Sequence, residues 1–152
     1  IIEHDSGCYY NTCFIWKNGE LVTYYRKIKI TQEEVGLNIC PGKDTVTFDT
    51  PFGQIGLLIC ADCISWEMVD AVASGSKYVL LPVSLTDPNH PPFTGHPLSE
   101  AIAKKHDTTV IKITRMGVFG GKILASRSAV TTPNGTIWEG PESAETLAVV
   151  EV

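Results

Sequence analysis

Gly53-Gln54-Ile55-Gly56-Leu57-Leu58-Ile59-Cys60-Ala61-Asp62-Cys63-Ile64-Ser65-Trp66-Glu67 is the stretch on which the fold turns. The run from Ile55 to Ile59 is short, apolar and bounded by turn residues, the pattern of a buried strand. From Ser65 to Ser74, Trp66, Val69, Val72 and Ala73 recur at helical spacing, and Gly75 stands behind them as a stop. Cys60 therefore falls where a buried strand gives way to a strand-to-helix turn. Open α/β sheets collect ligands and reactive groups at such places. Free cysteine is also among the most buried residue types, so simple packing is the competing reading.

Upstream of this stretch, Thr45 to Thr50 alternates apolar and polar side chains as a half-buried strand does, and Pro51-Phe52-Gly53 turns it. Downstream, Tyr78 to Val83 reads as the next strand, completing a right-handed parallel strand-helix-strand unit. Ser84 to Pro97 is a Pro-rich loop holding Asn89, His90, Phe93 and His96; loops this long are commonly functional. Leu98 to His106 is a predicted helix and Thr109 to Ile113 a strand. Gly117 to Gly121 is a glycine-rich loop. Ala125 to Val130 pairs with Ile137-Trp138 through Pro133-Asn134-Gly135, and Thr146 to Val152 is a predicted final strand. At the amino end, Cys13 to Trp16 and Leu21 to Tyr25 flank Asn18-Gly19 as a hairpin, and the return strand runs on from Arg26 to Ile30. Gln32 to Gly42 is a loop containing Glu33 and Glu34. With no repeat and no linker, residues 1–152 read as a single α/β domain with hairpins at both ends and a parallel crossover between them.

The chain has 152 residues, 43% hydrophobic and 19% charged, which suits a globular domain with a substantial core. Its net charge of -5 argues against a nucleic-acid partner or an acidic membrane surface, both of which want a basic patch. No apolar run reaches the length needed to cross a bilayer. Ile1-Ile2-Glu3-His4-Asp5 is neither a signal nor a transit peptide and lacks an initiator Met, so the chain is expected to be part of something longer. Five cysteines, an odd number scattered among strand-like segments, favour free thiols in a reducing, cytoplasmic setting.

Each reactive residue has an ordinary reading. Cys60-Ala61-Asp62-Cys63 is a C-x-x-C pair of the kind redox proteins carry at a strand-to-helix turn. A zinc site would need a second ligand pair, and His90 and His96 lie too far along the chain for finger-type spacing, so no metal or other cofactor is expected. Lys27 is by default a surface cation, Glu33 and Glu34 are by default solvated, and Glu67 suits the first turn of a helix.

Taken in order, these residues form a pattern. Tyr25-Arg26-Lys27 precedes an acidic loop; Ile59-Cys60-x-Asp62 follows, with Glu67 seven residues after Cys60. Tyr10-Asn11-Thr12, Gly75-x-x-Tyr78-Val79-Leu80-Leu81-Pro82-x-Ser84 and Ser128 to Gly135 extend the pattern in register. The chain resembles the carbon–nitrogen hydrolase (nitrilase/amidase) superfamily along nearly its whole length. That resemblance implies part of an α-β-β-α sandwich that assembles into homo-oligomers, and a small-molecule amide or nitrile as substrate. It implies Cys60 as nucleophile, Lys27 as its electrostatic partner and Glu34, or its neighbour Glu33, as a second glutamate. The Ala61 N–H becomes an oxyanion donor, and Trp66 and Phe93 become walls of the substrate site. The family's general-base glutamate lies ahead of the Tyr-Asn-Thr hairpin and has no counterpart here. Ile64 stands where many members carry Arg, and Ser65-Trp66 replaces the usual Phe-Pro.

A free thiol with a pKa of about 8.5 is only about 3% ionised at pH 7, so a nucleophilic Cys60 needs help from Lys27, the helix end and a base. Three readings follow. One is a C–N hydrolase working through a cysteine thioester. The second is a non-catalytic nitrilase-fold module used in assembly, and the third a C-x-x-C oxidoreductase.

Overall fold

The computed structural model describes residues 1–86, 95–142 and 144–152. A six-stranded mixed sheet forms its middle layer, in the order β11-β10-β7-β6-β5-β4. Strands β4 (Val46–Thr50) and β5 (Gly53–Leu57) form an antiparallel hairpin. Helix α2 (Trp66–Ala73) then crosses to β6 (Tyr78–Val83), which lies parallel to β5. Helix α3 (Pro97–His106) leads to β7 (Thr109–Thr114), parallel to β6, and β10 (Ala129–Thr132) and β11 (Gly135–Glu139) finish the sheet as a hairpin. The expected parallel crossover is present with the expected boundaries.

Alternation along the strands sorts the core into two layers. Val79, Leu81 and Val83 of β6 face α2 and α3, packing with Val69, Val72, Ile102 and Ala103. Leu80 and Leu57 face the other way and pack with Tyr25, Cys13 and Ile15 of a second, three-stranded sheet. That sheet comprises β1 (Ile2–Asp5), β2 (Cys8–Lys17) and β3 (Glu20–Arg26). Helices, central sheet and hairpin sheet thus form an α-β-β stack. Gly56 permits the close fit of α2 on β5, because a Cβ added there would sit 2.5 Å from the Val72 carbonyl oxygen.

Several expectations are corrected. Strand β1 was not anticipated; it joins β2 through Ser6-Gly7, both at positive φ. The return strand ends at Arg26 rather than continuing to Ile30. The loop after it contains a single helical turn, α1 (Gln32–Gly36), started by a Thr31/Glu34 capping box. The glycine-rich loop is a small ribbon of β8 (Val118–Phe119) and β9 (Lys122–Ile123). Strand β10 begins at Ala129, not Ala125. Thr146–Val152 forms no strand: it has no ladder partner, and Leu147 and Val149 stand almost fully in solvent. Five free thiols were expected, but Cys8 and Cys40 form a disulfide, leaving Cys13, Cys60 and Cys63 free. Among the described residues no helix is long and apolar enough to cross a membrane.

Candidate active site

Cys60 opens a 3-10 turn, Cys60–Ile64, directly after the buried Leu57-Leu58-Ile59. Its φ of 48° lies in the left-handed region, which side-chain-bearing residues occupy at a cost of about 1–3 kcal/mol. Asp62 holds the turn in this shape. One carboxylate oxygen accepts the Ile59 N–H at 2.8 Å and the Tyr25 hydroxyl at 2.8 Å; the other accepts the Lys29 N–H at 2.8 Å. Asp62 is wholly buried. Burial raises its pKa, against the pull of the Lys29 and Ile59 N–H groups and the Tyr25 hydroxyl.

The thiol has its own set of neighbours. Burial pushes the Cys60 pKa up, and the Lys27 charge with the Ser84 and Ala61 backbone N–H groups only partly reverses this. The sulfur thus sits among donors suited to an anion yet keeps its proton without a base. Cys63, three residues on, is fully buried in the helix-side core, and burial pushes its thiol up to about 12. The two form no disulfide, so the C-x-x-C spacing is incidental to the packing.

Three consecutive residues at the end of the hairpin tie the site together. Tyr25 bonds Asp62, as above. Arg26 bonds Glu3 at 2.5 Å and Asp5 at 2.8 Å, with its guanidinium 4.0 Å from the Tyr10 ring centroid. Lys27 is 2% exposed and its ammonium bonds the Glu34 carboxylate. Its backbone is also fixed, donating to the Asn11 carbonyl at 2.9 Å and accepting from the Gly42 N–H at 2.8 Å. Glu34 has both oxygens engaged: one accepts from Asn11 Nδ2 at 3.0 Å, the other from the Thr31 N–H at 2.9 Å and from Lys27. Burial works to raise the Glu34 pKa, but the Asn11, Lys27 and Thr31 bonds outweigh it and the net shift is downward.

Cys60, Lys27, Glu34 and Ala61 all line one open cavity of about 1270 Å³. Trp66 does not join them. It lies on α2 with the Lys105 ammonium 4.7 Å from its ring centroid, and Ile64 supplies the apolar wall in its place. Phe93 lies outside the described residues. Glu33 reaches the rim, where Lys122 is 3.6 Å away, and Glu67 is exposed and off the cavity. Sequence reasoning missed the wall contributions of Asn11, Ser84, Arg115 and Phe119. Asn11 and Ser84 both fall inside the motifs that carry the resemblance, which was their available signal. No group of three metal-ligating side chains occurs among the described residues.

The sequence model of the carbon–nitrogen hydrolase family matches residues 1–152. Human omega-amidase NIT2 is 36% identical over 91 residues, covering 53% of this chain and 33% of that protein. Among solved structures, Saccharomyces cerevisiae Nit3 superimposes with a TM-score of 0.83 at 25% identity, covering 95% of this chain and 55% of that one. A mutant of the amidase from Nesterenkonia sp. AN1, whose structure shows Michael addition of acrylamide at its active-site cysteine, matches with a TM-score of 0.74 at 26% identity, covering 82% of this chain and 50% of that one. The chain spans about a third of the length of the curated relatives that head the matches and about half of these solved chains.

Proposed function

Since the chain belongs to the carbon–nitrogen hydrolase family, we propose that it hydrolyses a non-peptide C–N bond of a small amide or nitrile through a thioester on Cys60. The observation carrying this reading is the shared cavity wall: a strained, buried thiol held by two backbone N–H groups, with the Lys27 ammonium alongside.

For an amide, the thiol proton passes to a base as Sγ attacks the carbonyl carbon. The oxygen gains the charge, and Lys27 Nζ and the Ala61 N–H are the donors nearest to hand; losing one such donor costs on the order of 100- to 1000-fold in rate. The C–N bond breaks, nitrogen leaves with the proton, and water then cleaves the thioester to release acid and restore the thiol. Glu34 is ill suited to be the base. Both its oxygens are occupied and its pKa is depressed, so it holds Lys27 in position and takes no proton from the thiol. The base in this reading is a glutamate outside residues 1–152, ahead of the hairpin.

The test is to incubate the full-length protein with small aliphatic amides and follow acid release and intact mass. An acyl adduct present in the wild type and absent in Cys60→Ala is expected. Turnover or an adduct that survives Cys60→Ala overturns the assignment.

A further inference from the structure

Resting on that reading of the site, we propose that Arg115 makes this cavity select amides whose acyl part carries a carboxylate. Five charged side chains line the cavity: Lys27, Arg115, Lys122, Glu33 and Glu34. Lys27 is paired with Glu34, and Lys122 lies against Glu33 at 3.6 Å. Arg115 is left over, with no carboxylate partner among the described residues.

The guanidinium is nonetheless fixed on two sides. Its Nε donates to Ser84 Oγ at 2.8 Å, and its Cζ lies 4.3 Å from the Phe119 ring centroid. With Nε and one face so engaged, the paired terminal NH₂ groups keep the fork that matches a carboxylate bidentately. Ser84 also sets where this fork stands. Its backbone N–H bonds the Cys60 sulfur while its side-chain oxygen holds Arg115, so one residue joins the nucleophile to the cation. A substrate with its amide carbon at Cys60 and a carboxylate a few bonds away spans that interval. A neutral amide leaves the cation to water.

Binding is measured by calorimetry on full-length Cys60→Ala protein, with succinamate compared against butyramide, its neutral counterpart of similar size. Charge-assisted bonds of this kind predict that succinamate binds roughly 10- to 100-fold more tightly, with a preference that shrinks as salt rises. Adding Arg115→Gln is expected to erase the preference, and Arg115→Lys to restore part of it. Equal affinities, or a preference that persists in Arg115→Gln, overturn the proposal. Because binding is read without the nucleophile, this result is independent of turnover, and the failure of Cys60 chemistry would show separately in the acid-release assay.

Discussion

Tyr25 donates its phenolic hydrogen to Asp62 at 2.8 Å, across a sequence gap of 37 residues, with both side chains shut away from solvent. Lys27 lies two residues beyond one partner and Cys60 two residues before the other. This one bond therefore sets the hairpin sheet against the turn that presents the thiol.

Tyr25→Phe keeps the ring and removes the donor, leaving one oxygen of a buried carboxylate short of a partner. An unmet buried acceptor costs about 1–3 kcal/mol. Urea denaturation is expected to show that loss, whereas Tyr24→Phe, on the exposed face of the same strand, stays within about 0.5 kcal/mol of wild type. Equal effects for the two would mean that the Tyr25–Asp62 bond carries no special weight.

The φ of 48° at Cys60 makes a second comparison informative. Alanine and glycine both remove the sulfur, but only glycine adopts the left-handed region freely. Cys60→Gly is therefore expected to be more stable than Cys60→Ala by about 1 kcal/mol, the reverse of the order found at ordinary positions. Thermal melts of the two inactive variants decide it; an alanine variant at least as stable shows that the backbone there is unstrained.

Glu34 supplies a pH-dependent contribution whose sign is fixed by its depressed pKa. The folded value lies below the ordinary glutamate value of about 4.3. Its stabilisation is thus fully present above about pH 4.3 and is lost as pH falls through the folded value. Glu3, Asp5, Asp70 and Glu139 are also depressed, but they are common to wild type and variant. The stability gap between wild type and Glu34→Gln, measured in urea from about pH 6 to about pH 2.5, is expected to be widest at the upper end and to close in acid. A gap that is constant with pH would show that the carboxylate charge is not what holds Lys27.

How much of this was legible in the sequence depended on whether a signal was local. The crossover from β5 through α2 to β6 was readable because apolar runs and helical spacing are properties of neighbouring residues. The nucleophile and lysine were readable only as members of a collinear pattern, since buried lysine at Lys27 contradicts its residue type. Glu34 was readable as a site residue, although the capping box that places it was overlooked in Thr31-x-x-Glu34. Trp66 was misplaced because being six residues from Cys60 does not say which face of α2 it occupies; packing against Lys105 settles that. Arg115 and Phe119 come from a segment whose ribbon depends on Gly120-Gly121 at positive φ, and glycine alone suggested only a loop. Thr146–Val152 shows the converse: apolar composition without a ladder partner makes no strand.

The Cys8–Cys40 disulfide spans the part of the chain that holds both Lys27 and Glu34, at a separation of 32 residues. Cys40 also donates its N–H to the Tyr9 carbonyl at 2.7 Å, so the covalent tie and the backbone bond both fasten the α1 loop to the hairpin at one point. Closing a loop of this length removes roughly 3–4 kcal/mol of unfolded-state freedom. Reduction is therefore expected to lower stability toward that amount and to loosen Glu34, with Lys27 losing its fixed partner before the core opens. The measurement is urea denaturation with and without a dithiol, beside hydrogen exchange across residues 31–42. Mass counting of alkylated thiols should give three labels in the denatured, unreduced protein and five after reduction. Five labels before reduction would show that Cys8 and Cys40 are free, and would restore the all-thiol, reducing-compartment expectation that this pairing displaces.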